Sequence, residues 1–272
     1  MSYVFRTLAL LVLLSALFLG IGFFFGGFLG LTIGLAIAIT INFITYWFSD
    51  KIVLKIYGAK PLKDKKINDI VRKLAEKANI PMPKTYLVDM DVPNAFATGR
   101  NEKNAAVAVT TGLVDRLTDD EIEGVLAHEL SHIRHNDILV SSIAATMASA
   151  ITWVAYIFLF TGDDEGGNII GLLLAFIIAP IAASIIQLAI TRNREYFADQ
   201  GGAELTNPMY LAHALDKISK AGKVKESRGS NATAHMFIVN PFSAKSLSSL
   251  FSTHPPVELR IQRLKEMAKN KK

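Results

Sequence analysis

Apolar positions in this chain form two kinds of run, unbroken and periodic. From Thr7 to Ser49 no Asp, Glu, Lys or Arg occurs, about twice the roughly 20 residues that one membrane-crossing helix needs. This stretch predicts two spanning helices joined by a tight turn among the glycines between Gly20 and Gly30, at or near Gly26-Gly27. A cleaved signal peptide does not fit, because the apolar run continues far past the usual hydrophobic region without a small-residue cleavage site. Two further uncharged runs cover Ile138 to Phe160 and Ile169 to Ile190, with the acidic turn Asp163-Asp164-Glu165 between them. Pro180 is expected to kink the last of these rather than abolish it. The fold expectation is a mainly α membrane protein with four transmembrane helices in two hairpins. Buried core helices are the alternative, less suited to two long runs flanking one short loop.

Between and after these runs the pattern becomes periodic. The polar material lies in two blocks, 50–137 and 191–272, flanking a hairpin at 138–190 and following one at 1–49. Ile67, Ile70, Val71, Leu74 and Ala78 repeat at helical spacing, and Pro81-Met82-Pro83 ends that helix. Thr85–Val88, Ala95–Thr98 and Ala105–Val109 read as short strands, giving the first polar block an α+β character. Thr118-Asp119-Asp120-Glu121 is a capping box, followed by an apolar stripe at Ile122, Val125, Leu126 and Leu130. In the second block Gly201-Gly202 is expected to stop a helix, and Asn207-Pro208 to open another with Leu211, Ala214, Leu215 and Ile218 facing inward. His213 falls on that helix's solvated side. Residues 221–253 read as a loop, in which His235 has no partner pattern. Pro255-Pro256 starts a final helix carrying Leu259, Ile261 and Leu264.

Charge sets the orientation. The 272 residues carry a net charge of +5 and no cysteine, which excludes disulfides and thiolate metal sites and fits a reducing cytosolic face. Mean hydropathy is +0.32. Arg6 precedes the first span, Lys51, Lys55 and Lys60 follow the second, and Arg192 and Arg194 follow the fourth. Basic residues beside spans stay on the cytoplasmic side, so both termini and both polar blocks are expected there. The basic balance is thereby explained without a nucleic acid partner.

The chemistry is concentrated in His128-Glu129-Leu130-Ser131-His132. Four residues apart on a helix, the two imidazoles share a face and converge on one point, where a zinc ion fits. Glu129 is then placed to act as a base on water at that metal rather than as a ligand. Catalytic zinc needs a third protein ligand. His135 is the nearest candidate, yet the residue six positions after His132 is Ile138, where a metzincin has its third histidine. Glu195 is the better candidate, because Glu195 and Asp199 again lie one helical turn apart: one carboxylate can ligate while the other fixes a ligand histidine's tautomer. No Gly or Pro interrupts 127–160 or 181–199. The ligand-bearing helices are therefore expected to be cytoplasmic extensions of the third and fourth spans, with Asn136-Asp137 as the one place where the first of them could break.

In order along the chain, Asn94-Ala95-Phe96-Ala97-Thr98-Gly99, His128 to His132, Glu195 to Asp199 and His254-Pro255-Pro256 resemble the HtpX-type membrane metalloproteases, gluzincins related to the CAAX prenyl proteases. The resemblance covers nearly the whole chain. It implies a zincin-like catalytic part with one Zn2+ on His128, His132 and Glu195, Glu129 as general base and acid, and Asp199 supporting an imidazole. It also implies an edge strand at Asn94, Ala95 and Phe96 that binds extended substrate, with a plain structural strand as the other reading. His254 would line the site and stabilise the oxyanion, or else cap the last helix, and Arg260 would be a structural partner near it. By the same resemblance the substrates are proteins or peptides, above all damaged or misfolded membrane proteins reached at the bilayer surface of the cell's inner membrane. The alternatives are a CAAX-type prenyl-peptide protease and a non-catalytic membrane zinc-binding scaffold. Glu129 argues against the scaffold, since a structural site needs no carboxylate there.

Overall fold

The computed structural model describes residues 3–147, 192–220, 238 and 255–270. Helix α1 (Tyr3–Ile56) is two apolar limbs with a reversal at Gly27, whose φ of 55° favours glycine. The limbs run side by side. Asn42 Nδ2 donates to Ser15 Oγ at 2.8 Å, and the backbones of Gly22 and Gly30 approach so closely that a Cβ on either would collide with the other's carbonyl. Thr7–Phe24 and Gly26–Ile56 are each long and apolar enough to cross a membrane. Their outer faces leave Phe24 and Phe28 four-fifths exposed, as suits a surface solvated by lipid.

The polar part follows as β1 (Lys60–Pro61), α2 (Lys65–Ala78), β2 (Lys84–Val88), β3 (Ala95–Gly99), a 3-10 turn (Glu102–Asn104), β4 (Ala105–Thr110), α3 (Thr111–Arg116) and α4 (Asp119–Arg134). Helix α5 (Asp137–Met147) comes next, then α6 (Arg192–Leu205), α7 (Pro208–Lys220) and α8 (Val257–Asn270). The three strands read from the sequence are present; β1 and α3 add to them. The sheet order is β1-β2-β4-β3, with β2 parallel and β3 antiparallel to β4, so β3 is an edge strand.

Both faces of this small sheet are covered, which is why its strands read as nearly continuous apolar runs. Ala95, Ala97, Val107 and Val109 join the core built by α2, α4, α6 and α7. Phe96, Ala106 and Ala108 face the other way, onto Val53, Leu54 and Tyr57 at the end of α1 and onto Ala145 of α5. Helix α5 also packs its Leu139, Val140 and Ile143 against Leu10 and Leu14 of α1. The layer carrying α4 is thus tied through the sheet to the apolar helices.

Two expectations need correction. Helix α4 does not run on into the third apolar run: it caps at His135, Asn136 takes φ 56°, and α5 starts afresh at Asp137. Asparagine tolerates the left-handed conformation, so a break needs no glycine. Conversely, Gly201-Gly202 does not stop α6, which continues to Leu205. These glycines serve packing instead. A Cβ on Gly201 would strike Ser131 Oγ, and one on Gly202 would sit 2.9 Å from the backbone nitrogen of His128. The remainder of the third apolar run and all of the fourth, with the loop 221–253 apart from Ile238, lie outside the described residues.

Candidate metal centre

Helix α4 presents the histidines because its start is fixed. Thr118 accepts from the Glu121 backbone while Glu121 accepts from that of Thr118, and three acids occupy the first turn. Eight residues of its apolar and small face then bury against α2, α6 and α7, carrying His128 and Glu129 inside with them. Helix α6 crosses α4 at Gly201-Gly202, and this close approach brings Glu195 to the imidazoles.

The Nε2 atoms of His128 and His132 stand 3.2 Å apart, and the Glu195 oxygens lie 3.6 Å and 3.5 Å from them respectively. Tetrahedral ligands about 2.0–2.1 Å from a zinc ion are separated by about 3.3 Å. Two nitrogens and one carboxylate, all buried or nearly so and already at that spacing, therefore fit a small divalent metal with a fourth position left for substrate. His135 is outside this group: its Nδ1 bonds the Ser131 carbonyl at 2.8 Å. His213 is exposed on α7, and His254 lies outside the described residues.

Around the three candidate ligands lies a shell of charged partners. Asp199 Oδ1 faces Nδ1 of His128 at 3.0 Å. Arg260, on α8, is wholly buried and grips Asp199 with Nε at 2.9 Å and Nη2 at 2.7 Å. Its Nη1 lies 3.6 Å from Glu195, so one guanidinium spans the Asp199 and Glu195 carboxylates. Burial would raise the Asp199 carboxyl, but the Arg260 charge and the bonds to His128 and Arg260 hold it well below the usual carboxylate range. The second histidine has its own support. His132 Nδ1 meets Asp137 at 3.2 Å, and Asp137 meets Arg194 at 2.7 Å. Burial lowers the His132 pKa, but Asp137, Glu195 and Glu129 outweigh it and leave the ring above its ordinary value. Sequence pattern did not single out Asp137 and Arg194: one reads as a helix break and the other as an orientation charge.

Glu129 is buried beside the ligand cluster but is not among its three grouped ligating residues. Burial pushes its carboxyl up, offset in part by His128 and His132, while the Ala97 backbone N–H on β3 favours the charged form. Thr110 N–H bonds the Asn94 carbonyl, so pairing with β4 alternates in a way that turns the groups of Ala95, Ala97 and Gly99 to the free edge. Gly99 N–H there meets Ser142 Oγ at 3.2 Å. Of the three strand residues named from the sequence, only Ala95 offers free-edge backbone. Phe96 is pinned against Tyr57, and the Asn94 side chain accepts from the Ile238 backbone at 2.9 Å.

Three ligating atoms converging on one point, with a further carboxylate held off it against an edge strand, are what a metal-dependent peptidase requires. Residues 61–268 match the pattern of Peptidase family M48, and the chain belongs to that family. It is 51% identical over 278 residues to a Protease HtpX homolog of Syntrophobacter fumaroxidans, with 97% of this chain and 99% of that protein covered. A Protease HtpX homolog of Thermodesulfovibrio yellowstonii is 50% identical, with 97% and 98% covered. The crystal structure of S. mikatae Ste24p shares the fold at a TM-score of 0.54 and 20% identity, over 92% of this chain and 61% of that one. The chain is accordingly a membrane metalloprotease.

Proposed function

We propose that this chain is a zinc endopeptidase whose metal is held by His128, His132 and Glu195 and whose proton carrier is Glu129. The observation that carries this is the spacing of the three ligating atoms, all within 4.8 Å of one another, beside a buried carboxylate that is not among them. When bound, zinc supplies a Lewis acid that polarises the scissile carbonyl and makes water reactive near neutral pH. Glu129 takes the proton of the attacking water and delivers it to the leaving amine. Asp199 and Asp137 hold the His128 and His132 rings in register from behind, and Arg260 keeps Asp199 ionised. The free backbone groups of Ala95 and the carbonyl of Ala97 receive the substrate as an added strand, whose carbonyl then lies close to Glu129. His254 is assigned to the oxyanion side on family resemblance alone.

The chain divides as transmembrane hairpin 1–49, catalytic part 50–137, transmembrane hairpin 138–190 and catalytic part 191–272, with both catalytic parts on the cytoplasmic face of the inner membrane. Substrates are damaged or misfolded membrane proteins, consistent with a site joined to α1 and α5 through one small sheet. The deciding experiment compares the wild type with Glu129→Gln for bound zinc and for cleavage of an unfolded protein such as casein. The variant is expected to keep its zinc and lose about 100- to 10,000-fold in turnover. Normal turnover would remove Glu129 from the chemistry, and lost zinc would make it a ligand.

A further inference from the structure

The second limb of α1 ends beside a cavity of about 530 Å3 that the peptidase chemistry does not use. Its floor is the start of β2 and β4, and its other wall is α1 itself. Lys51, Lys84, Arg100 and Lys103 line it against one acid, Asp50. Among the described residues none of these four cations makes an ion pair. Two of them are instead set on aromatic rings: the Arg100 guanidinium lies 4.4 Å from the centre of Trp47, and the Lys51 ammonium 5.3 Å from that of Phe48. Trp47 and Phe48 are about two-fifths exposed.

We infer that this cavity binds the headgroup of an anionic phospholipid, with the acyl chains lying along the aromatic face of α1. Unneutralised cations converging on one concavity call for an anion. Aromatic residues at the end of an apolar helix, with lysines just beyond, mark the depth at which lipid headgroups lie. A free phosphate or nucleotide would use the cations but leave Trp47 and Phe48 without a role; a lipid uses both. The inference rests on the transmembrane hairpin 1–49 proposed above. Bound there, the lipid would touch α1, β2 and the turn between β3 and β4, and so fix the edge strand at a set height above the membrane.

The test uses the metal-loaded full chain in neutral detergent with three probes: dihexanoyl-phosphatidylglycerol, dihexanoyl-phosphatidylcholine, and glycerol phosphate without chains. Phosphatidylglycerol should bind at least about tenfold more tightly than either of the others, and R100Q/K103Q should lose about tenfold or more of that affinity. W47A should lower phosphatidylglycerol binding towards that of glycerol phosphate. An arm that needs no variant is protection of Lys51, Lys84 and Lys103 from acetylation by phosphatidylglycerol but not by phosphatidylcholine. Equal binding of the two lipids, equal binding of glycerol phosphate, or absence of protection would each overturn the lipid site. Alkaline washing of membranes separates the two levels: a chain that stays in the membrane but ignores phosphatidylglycerol removes the cavity proposal alone. A chain released by the wash removes the spanning helices on which it rests.

Discussion

Asp199 sits in the core with almost no solvent and remains charged because Arg260 gives it a two-pronged partner. Removing one member of such a pair leaves an uncompensated buried charge, which costs more than the pair contributes. Arg260→Met is therefore expected to lower stability by about 3–5 kcal/mol and to weaken metal binding through His128. Arg260→Lys should restore little, because a single ammonium cannot match both oxygens. Thermal melting with and without zinc, read beside metal content, checks both, and full recovery by lysine would show that only the charge matters. Helical spacing made His128, Glu129, His132 and the Glu195/Asp199 pair legible in the sequence, since each set lies within one or two turns. Which imidazole Asp199 faces was not legible. That depends on how α6 crosses α4, and Arg260 arrives from 61 positions further along the chain.

Helix packing decides whether these side chains meet. The crossing of α4 and α6 has room for hydrogen alone at Gly202, where an added methyl would meet backbone rather than a movable side chain. Gly202→Ala is expected to force the helices apart, move Glu195 off the histidines and weaken zinc affinity about tenfold or more; a zinc-competition titration measures it. The same glycines read as a stop signal in the sequence because pattern alone cannot tell a helix end from a close helix crossing. The break at Asn136 was legible only as a place where α4 could end, since no glycine or proline announces it. At the start of α4 the end is set by chemistry that local sequence does show. Burial raises the Glu121 carboxyl, but Lys217, 2.8 Å away, and the Thr118 bonds outweigh it and leave it below its ordinary value. A lowered folded value means a contribution to stability that is present above the unfolded carboxyl range and lost as pH falls through the folded one. Glu121→Gln keeps a capping side chain but loses the negative charge that pairs with Lys217. Its melting temperature should fall below the wild type's near neutral pH, and the gap should close in acid.

At the scale of the whole molecule the metal site constrains the membrane topology. Helices α2, α4, α6 and α7 share one core, so His132 and Glu195 lie on the same side of any membrane. The chain between them must then cross an even number of times, which agrees with the proposal that the two apolar runs from Ile138 to Phe160 and from Ile169 to Ile190 form two crossings. Their connecting loop carries only acids, while lysines and arginines crowd the ends that join the catalytic parts. The native chain has no cysteine, so single cysteines report without background. Introduced at Lys73 on α2 and Lys220 on α7, both exposed, a cysteine should react with an impermeant thiol reagent only after the inner membrane is opened. Introduced at Asn168, it should react from outside once any outer envelope is permeable. If Asn168 labelled from the same side as Lys73, the runs would not cross as a hairpin, and the catalytic parts would be held at the membrane by α1 alone. If Lys73 and Lys220 labelled from opposite sides, the single core joining α2 and α7 would itself be wrong, and the zinc site with it.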